Sequence, residues 1–391
     1  MTAREASRRR DPALTDRLGA TIGRLLPVLD AFTRFEGPHP AVRRSAWRAA
    51  LDEPLPERGQ GPDAVLRALE EVVVPNGLRI GHPGFSGWVT TMPTTIPTAA
   101  YLAAAVAAPQ RWWASPGNFL EYLALDWLKA LLGVPAGHAG VFVSGGAVAN
   151  LVGMAAARQH AGERIGVDPA RDGVAGIPSP VAYASPEVHH VLLRAMGVLG
   201  LGRRNLRMVG LDRDRRLDAA ELERAIDADV RAGRTPIAIV ANAGDVNTGI
   251  VDPIDELARI ARERGIWLHV DGAYGGFGLL DERVRSLYGD VGAYDSFAVD
   301  PHKWMNVPVG CGAAFVRDPD LLGRALTPEP ADYAQPLARE GEGDTTSPFD
   351  ELGLGTPDHT VEFSAPSRGM TVWAVLKEIG AAGMRERVRR D

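Results

Sequence analysis

The chain has 391 residues, 45% of them apolar and 24% charged, which is enough apolar material for one large core or two moderate ones and too much for a disordered chain. Its net charge of −6 and pI near 5.9 provide no global basic field for nucleic acid or an anionic membrane, so a small-molecule substrate is the expected partner. Cys311 is the only cysteine, which excludes an internal disulfide and a multi-cysteine metal site; set in the apolar run Cys311 to Val316, it reads as a buried small residue.

The basic start, with Arg8-Arg9-Arg10, is followed by no apolar segment of the kind that a secretory signal needs. The longest apolar stretch, 99–108, is roughly half a membrane span. A cytoplasmic protein that binds neither membrane nor nucleic acid is expected. Residues 1–80 carry helical patterning broken by Pro and Gly, including the loop Pro54 to Gly61, and read as an N-terminal helical segment.

From Gly81 the texture changes to short apolar runs alternating with amphipathic helices, the pattern of a mainly parallel sheet covered by helices, and 81–316 reads as one large α/β domain. Helical spacing of Leu120, Leu123, Ala124, Trp127, Leu128 and Leu131 gives a core-facing helix over 120–132. A strand at Gly140 to Val143, the turn Ser144-Gly145-Gly146 and a helix through Asn150 and Met154 follow. Strand 236–241 leads to a helix with Asp252 as candidate N-cap and Ile254, Leu257, Ala258 and Ala261 on one face, and strand 266–270 closes this unit. Apolar runs 297–299 and 311–316 bracket Asp300-Pro301-His302-Lys303-Trp304. The stretch 327–365, rich in Pro, Gly and acidic residues, reads as a long mobile loop, and a last amphipathic helix covers 371–388.

Four elements carry possible chemistry. Glycines between a strand and a helix N-terminus, as in Ser144-Gly145-Gly146, let backbone N–H groups reach an anion, although tight packing also uses such turns. Asp271 closes a strand at the sheet end where α/β folds bind ligands; it is either a turn residue or a partner for a protonated pyridine nitrogen. Lys303 lies between His302 and Trp304 in apolar surroundings, either snorkelling or desolvated into a nucleophilic amine able to form a Schiff base. His189-His190 follows another short strand, and no metal-ligand spacing accompanies it, so no metal is expected.

Together these elements resemble the group II decarboxylases that depend on pyridoxal 5'-phosphate (PLP), the family of aromatic L-amino-acid, glutamate and histidine decarboxylases. The likeness runs in family order through His82-Pro83 with Phe85, Ser115-Pro116, Ser144-Gly145-Gly146 with Ala149-Asn150, His189, Ala243-Gly244 to Asn247-Thr248-Gly249 with Asp252-Pro253, His269-Val270-Asp271 with Ala273-Tyr274, and Asp295-Ser296 leading to His302-Lys303-Trp304.

The resemblance implies the fold type I PLP-dependent transferase (aspartate aminotransferase-like) architecture and a homodimer. It also implies decarboxylation of an L-amino acid to its amine and carbon dioxide. Lys303 would hold PLP as a Schiff base, Asp271 would pair with the ring nitrogen, His189 would stack on the ring, and Ala273 would pack beneath it. Gly145, Gly146 and Ala147 would bind the phosphate, with Ser296 and His302 as further donors. Tyr333 would protonate the substrate Cα, and His82, Pro83 and Phe85 would line the substrate site.

The chain departs from the family at Ala147-Val148, where many relatives have Ser-Glu, at Asp245-Val246, where Thr-Thr is frequent, and at Ala365-Pro366, where paired arginines are common. The family continues past the last helix into a small C-terminal domain, so 317–391 reads as the catalytic loop and the start of a truncated C-terminal domain. An aldehyde synthase, an aminotransferase, a carbon–carbon lyase or a non-catalytic relative would share these features.

Overall fold

The computed structural model describes residues 18–35, 44–108, 110, 115–327 and 359–390. The chain divides into two compact units, Met1–Trp88 and Val89–Asp391. In the first, α1 (Leu18–Thr33), α2 (Arg44–Leu51) and α3 (Pro62–Ala68) are joined to a π-helical turn, Leu69–Val73. Arg24 of α1 ties this unit together, with one guanidinium nitrogen 2.6 Å from Asp63 and another 3.1 Å from Glu70.

The second unit is built on a seven-stranded sheet of β1 (Ala139–Val143), β2 (Pro180–Ala184), β3 (Leu206–Met208), β4 (Thr235–Asn242), β5 (Trp267–Asp271), β6 (Ser296–Val299) and β7 (Gly312–Val316), in the order β1-β7-β6-β5-β4-β2-β3. All neighbouring pairs are parallel except those made by β7, which runs antiparallel to β1 and β6. The reason is the short connection from Asp300 to Cys311: too brief for a helical crossover, it returns the chain in the opposite direction.

Helices cover both faces: α4 (Thr95–Ala107), α5 (Pro116–Leu132), α6 (Gly146–Glu163), α7 (Pro169–Asp172), α8 (Val191–Val198), α9 (Ala219–Arg231), α10 (Ile254–Arg264), α11 (Pro301–Trp304), α12 (Pro319–Leu326) and α13 (Gly369–Arg390), the last broken at Gly380. Successive strand residues point to opposite faces. Thus Phe142, Ile239, Leu268, Val270, Phe297 and Phe315 enter one apolar core with α5, α9, α10 and α13. Val141, Val143, Val240, Trp267, Ala298 and Val316 enter the other, with α6, α8 and α12.

This is the mixed α/β architecture expected from the pattern of apolar runs. Helix α10 begins one residue later than its sequence signal, with Pro253 at the cap position. Asp252 does not cap it. Its buried carboxylate instead accepts the N–H groups of Leu217 (2.8 Å) and Asn242 (2.7 Å), and burial pushes its pKa up to about 6. The expected loop 327–365 falls largely outside the described residues, and Tyr333 lies there with it. Among the described residues, no helix is long and apolar enough to cross a membrane.

Candidate active site

The topology explains how residues so distant in sequence meet. Strands β1, β2, β4, β5 and β6 all run the same way, so Ser144, Ser185, Ala243, Gly272 and Asp300 leave the sheet at one edge; β7 enters at that edge through Gly312, which pairs with Val143. Asp271 closes β5, Lys303 sits just past β6, and His189 lies in the turn after β2.

At the end of β1 the chain turns through Gly145, whose φ of 142° favours glycine. Side chains would not fit here: a Cβ on Gly146 would lie 2.7 Å from Asp300 Oδ2 and 3.0 Å from the Ala273 Cβ, and one on Gly312 would lie 2.6 Å from the Gly145 Cα. The N–H groups of Gly146 and Ala147 open α6 and have no acceptor within the helix, so with the helix dipole they form an anion cradle.

That turn is anchored from the sheet by a hydrogen-bond chain whose direction the partners determine. The Trp267 indole N–H donates to Ser296 Oγ (2.8 Å), and the Ser296 hydroxyl donates to His269 Nδ1 (2.8 Å). His269 Nε2–H donates to Asn150 Oδ1 (2.7 Å), and the Asn150 amide donates to the Gly146 carbonyl (2.7 Å). His269 and Asn150 are fully buried, and burial lowers the His269 pKa to about 4, which leaves the imidazole neutral.

Lys303 is held in the short helix α11. The Trp304 indole donates to the Tyr274 carbonyl (2.7 Å), and the His302 N–H and Nδ1–H both reach the Cys311 carbonyl, at 3.2 and 2.7 Å. Lys303 Nζ lies 3.1 Å from Asp300 Oδ2, with its side chain 19% exposed. Asp300 is buried, its other oxygen, Oδ1, has no hydrogen-bond partner, and burial raises its pKa despite the neighbouring Lys303 charge. Asp271, also buried, accepts the Ala273 N–H (3.0 Å) and lies close enough for its charge to act on both Asp300 and His189. Burial, then the adjacent His190, lowers the His189 pKa, so its ring is neutral and available for stacking.

Gly145, Gly146, Asp271, Ala273, His302 and Lys303 are therefore gathered at one sheet edge, with His189 within electrostatic reach. Ser296 is not brought to the turn. Its hydroxyl is committed to Trp267 and His269 at the opposite end of β6, where a Cβ on Gly153 would meet it at 3.0 Å. His82, Pro83 and Phe85 lie in the first unit, where His82 Nδ1 accepts the Gly84 N–H (3.0 Å) and the Phe85 ring meets Trp88 edge-on at 5.4 Å. The sequence reading gave no role to Asp300, Asn150 or His269. The position of Asp300, three residues before the lysine on one helical turn, was the available signal.

A cradle of unpaired N–H groups, an amine and a carboxylate at one edge suit a phosphorylated pyridine aldehyde. A family model described as the pyridoxal-dependent decarboxylase conserved domain matches residues 45–391. The chain belongs to the pyridoxal-dependent decarboxylase family. That membership gives it PLP as cofactor and places it in the carboxy-lyase class of enzymes. It is 30% identical over 344 residues to an aromatic-L-amino-acid decarboxylase of Bacillus atrophaeus, covering 87% of this chain and 67% of that protein. It is 26% identical over 366 residues to 4-hydroxyphenylacetaldehyde synthase of Rhodiola rosea, covering 90% of this chain and 70% of that protein. A crystal structure of Oryza sativa TDC with PLP and tryptamine superposes with a TM-score of 0.85 at 26% identity, covering 97% of this chain and 78% of that one. This pyridoxal-dependent decarboxylase thus spans about two thirds of the length of the curated relatives it matches. Among its described residues no group of three or more His, Cys, Asp or Glu side chains is placed to hold a metal ion.

Proposed function

We propose that the chain decarboxylates an L-amino acid to the corresponding amine, with Lys303 as the covalent anchor of PLP. The observation that carries this reading is the meeting of Lys303, Asp271 and the Gly145–Gly146 cradle at one sheet edge. PLP supplies the sink for the electron pair released when the carboxylate leaves as carbon dioxide.

The residues around it have separable tasks. The N–H groups of Gly146 and Ala147, aided by the α6 dipole, hold the phosphate, and His302 presents Nε2 beside them because Nδ1–H is spent on Cys311. The Asp271 carboxylate keeps a proton on the ring nitrogen, and its bond from the Ala273 N–H fixes its angle. His189, neutral, offers an aromatic face. Lys303 would hold the cofactor through its amine, which lies 3.1 Å from Asp300 Oδ2. Tyr333 remains our candidate for proton delivery to Cα. His82, Pro83 and Phe85 remain our candidates for contacts to the substrate.

We further propose a homodimer in the cytoplasm. Supporting the dimer, α4 leaves Ile96, Tyr101, Leu102 and Val106 exposed. Sedimentation of a species near the 41.8 kDa of a single chain would count against it.

The test of function is incubation with PLP and a panel of L-amino acids, with mass spectrometry of the products. Amine formation that is lost in Lys303→Ala supports the proposal. Aldehyde as the sole product, or amine formation undiminished in Lys303→Ala, refutes it.

A further inference from the structure

The cradle contains one group that suits an anion badly. Asp300 is 2% exposed, and its carboxylate lies against Gly146, whose N–H would take the phosphate, and against Gly312 of β7: the nearest position a Gly146 side chain could occupy is 2.7 Å from Oδ2, and that of Gly312 is 2.7 Å from Oδ1. Oδ2 is paired with the Lys303 amine at 3.1 Å, while Oδ1 is buried with no partner. Although Asp300 stands at the N-cap position of α11, its side chain makes no capping bond, so helix geometry does not account for it. The titratable groups that face it are Lys303 and His302 of its own helix and Asp271 of β5; the buried Cys311 thiol adds no charge. One ammonium thus balances two carboxylates before any cofactor arrives.

We propose that Asp300 takes up a proton when the PLP phosphate enters the cradle and becomes a neutral acid beside it. The proposal rests on the reading of the Gly145–Gly146 turn as the phosphate site. Two anions sharing a buried site cannot both remain ionised at low cost, and the carboxyl is the weaker competitor because the backbone N–H groups stabilise only the phosphate.

The balance is simple. Lys303 exchanges N–H bonds for a C=N bond to the cofactor aldehyde, whose oxygen leaves as water with two protons from the amine. One further proton passes from solvent to Asp300, and no electrons are transferred.

The experiment is calorimetric titration of the full chain with PLP at pH 8 in buffers of different ionisation enthalpy, which counts protons taken up on binding. Asp300→Asn and the ligand pyridoxal, which lacks the phosphate, serve as comparisons. Wild type is expected to take up about one proton more than Asp300→Asn with PLP, and the two are expected to agree with pyridoxal. Equal counts with PLP, or the same difference with pyridoxal, overturn the proposal.

Should Asp300→Asn fail to fold, wild type alone decides. Above pH 7.5, where the phosphate is already doubly ionised, its preference for PLP over pyridoxal should fall about tenfold per pH unit, and a constant preference overturns the proposal. No visible absorbance change with PLP would instead refute the cofactor reading itself.

Discussion

The hydrogen-bond chain beneath the glycine turn makes acid stability a measurable property of one histidine. His269 Nδ1 accepts from Ser296 and Nε2–H donates to Asn150, so the chain is complete only with a neutral imidazole. Protonating Nδ1 turns Ser296 Oγ into an acceptor from both His269 and Trp267 and leaves its hydroxyl hydrogen without a buried acceptor. The folded pKa is lowered to about 4 from 6.5, so the stabilising contribution is complete above pH 6.5 and is lost as the pH falls toward 4. At about 1.4 kcal/mol per pH unit, the full loss is about 3 kcal/mol.

Urea unfolding of wild type and His269→Gln at pH 7.5, 6.5, 5.5 and 4.5 measures this directly. Other groups contribute a common background, so the difference in stability between the two proteins should shrink by about 1.4 kcal/mol for each pH unit between 6.5 and 4.5. Parallel curves over that window would falsify the assignment of a neutral, directionally bonded His269.

Gly146→Ala places a methyl group 2.7 Å from Asp300 Oδ2 and 3.0 Å from Ala273, so PLP affinity, followed by visible absorbance, should fall at least about tenfold. An unchanged dissociation constant would remove this turn from the cofactor site. Asn150→Ala leaves His269 Nε2–H buried without a partner, at about 1–3 kcal/mol, while the Gly146 carbonyl keeps its helical bond from the N–H of residue 150. A loss of stability below 1 kcal/mol in chemical unfolding would show that the chain is not continuous.

Much of this architecture was legible because its signals are local. Runs such as Gly140 to Val143 and Phe297 to Val299 are fully apolar, as strands covered on both faces must be. Glycine turns and strand-end carboxylates mark the active edge. The three-residue strand β3, set among arginines, carries too little apolar pattern to stand out. Nor does sequence spacing reveal that β7 runs backwards, a consequence of the short Asp300–Cys311 link.

At the site, Lys303, Asp271 and Gly145-Gly146 could be read from residue type and position. Ser296 could not, because the same hydroxyl can serve a phosphate or a buried histidine, and only the strand's orientation decides between them. The link from Ser296 through His269 to Asn150 joins three separate stretches of sequence and exists only once they are folded together. Asp300 was visible beside the lysine, yet its missing partner is a property of three-dimensional packing alone.

The sequence contains only three lysines, Lys129, Lys303 and Lys377, which makes the anchor uniquely testable. After incubation with PLP, borohydride reduction and peptide mass mapping, the phosphopyridoxyl group should be found on Lys303. Its attachment to Lys129 or Lys377, or the absence of any label, contradicts the placement of the cofactor between Asp271 and the glycine turn.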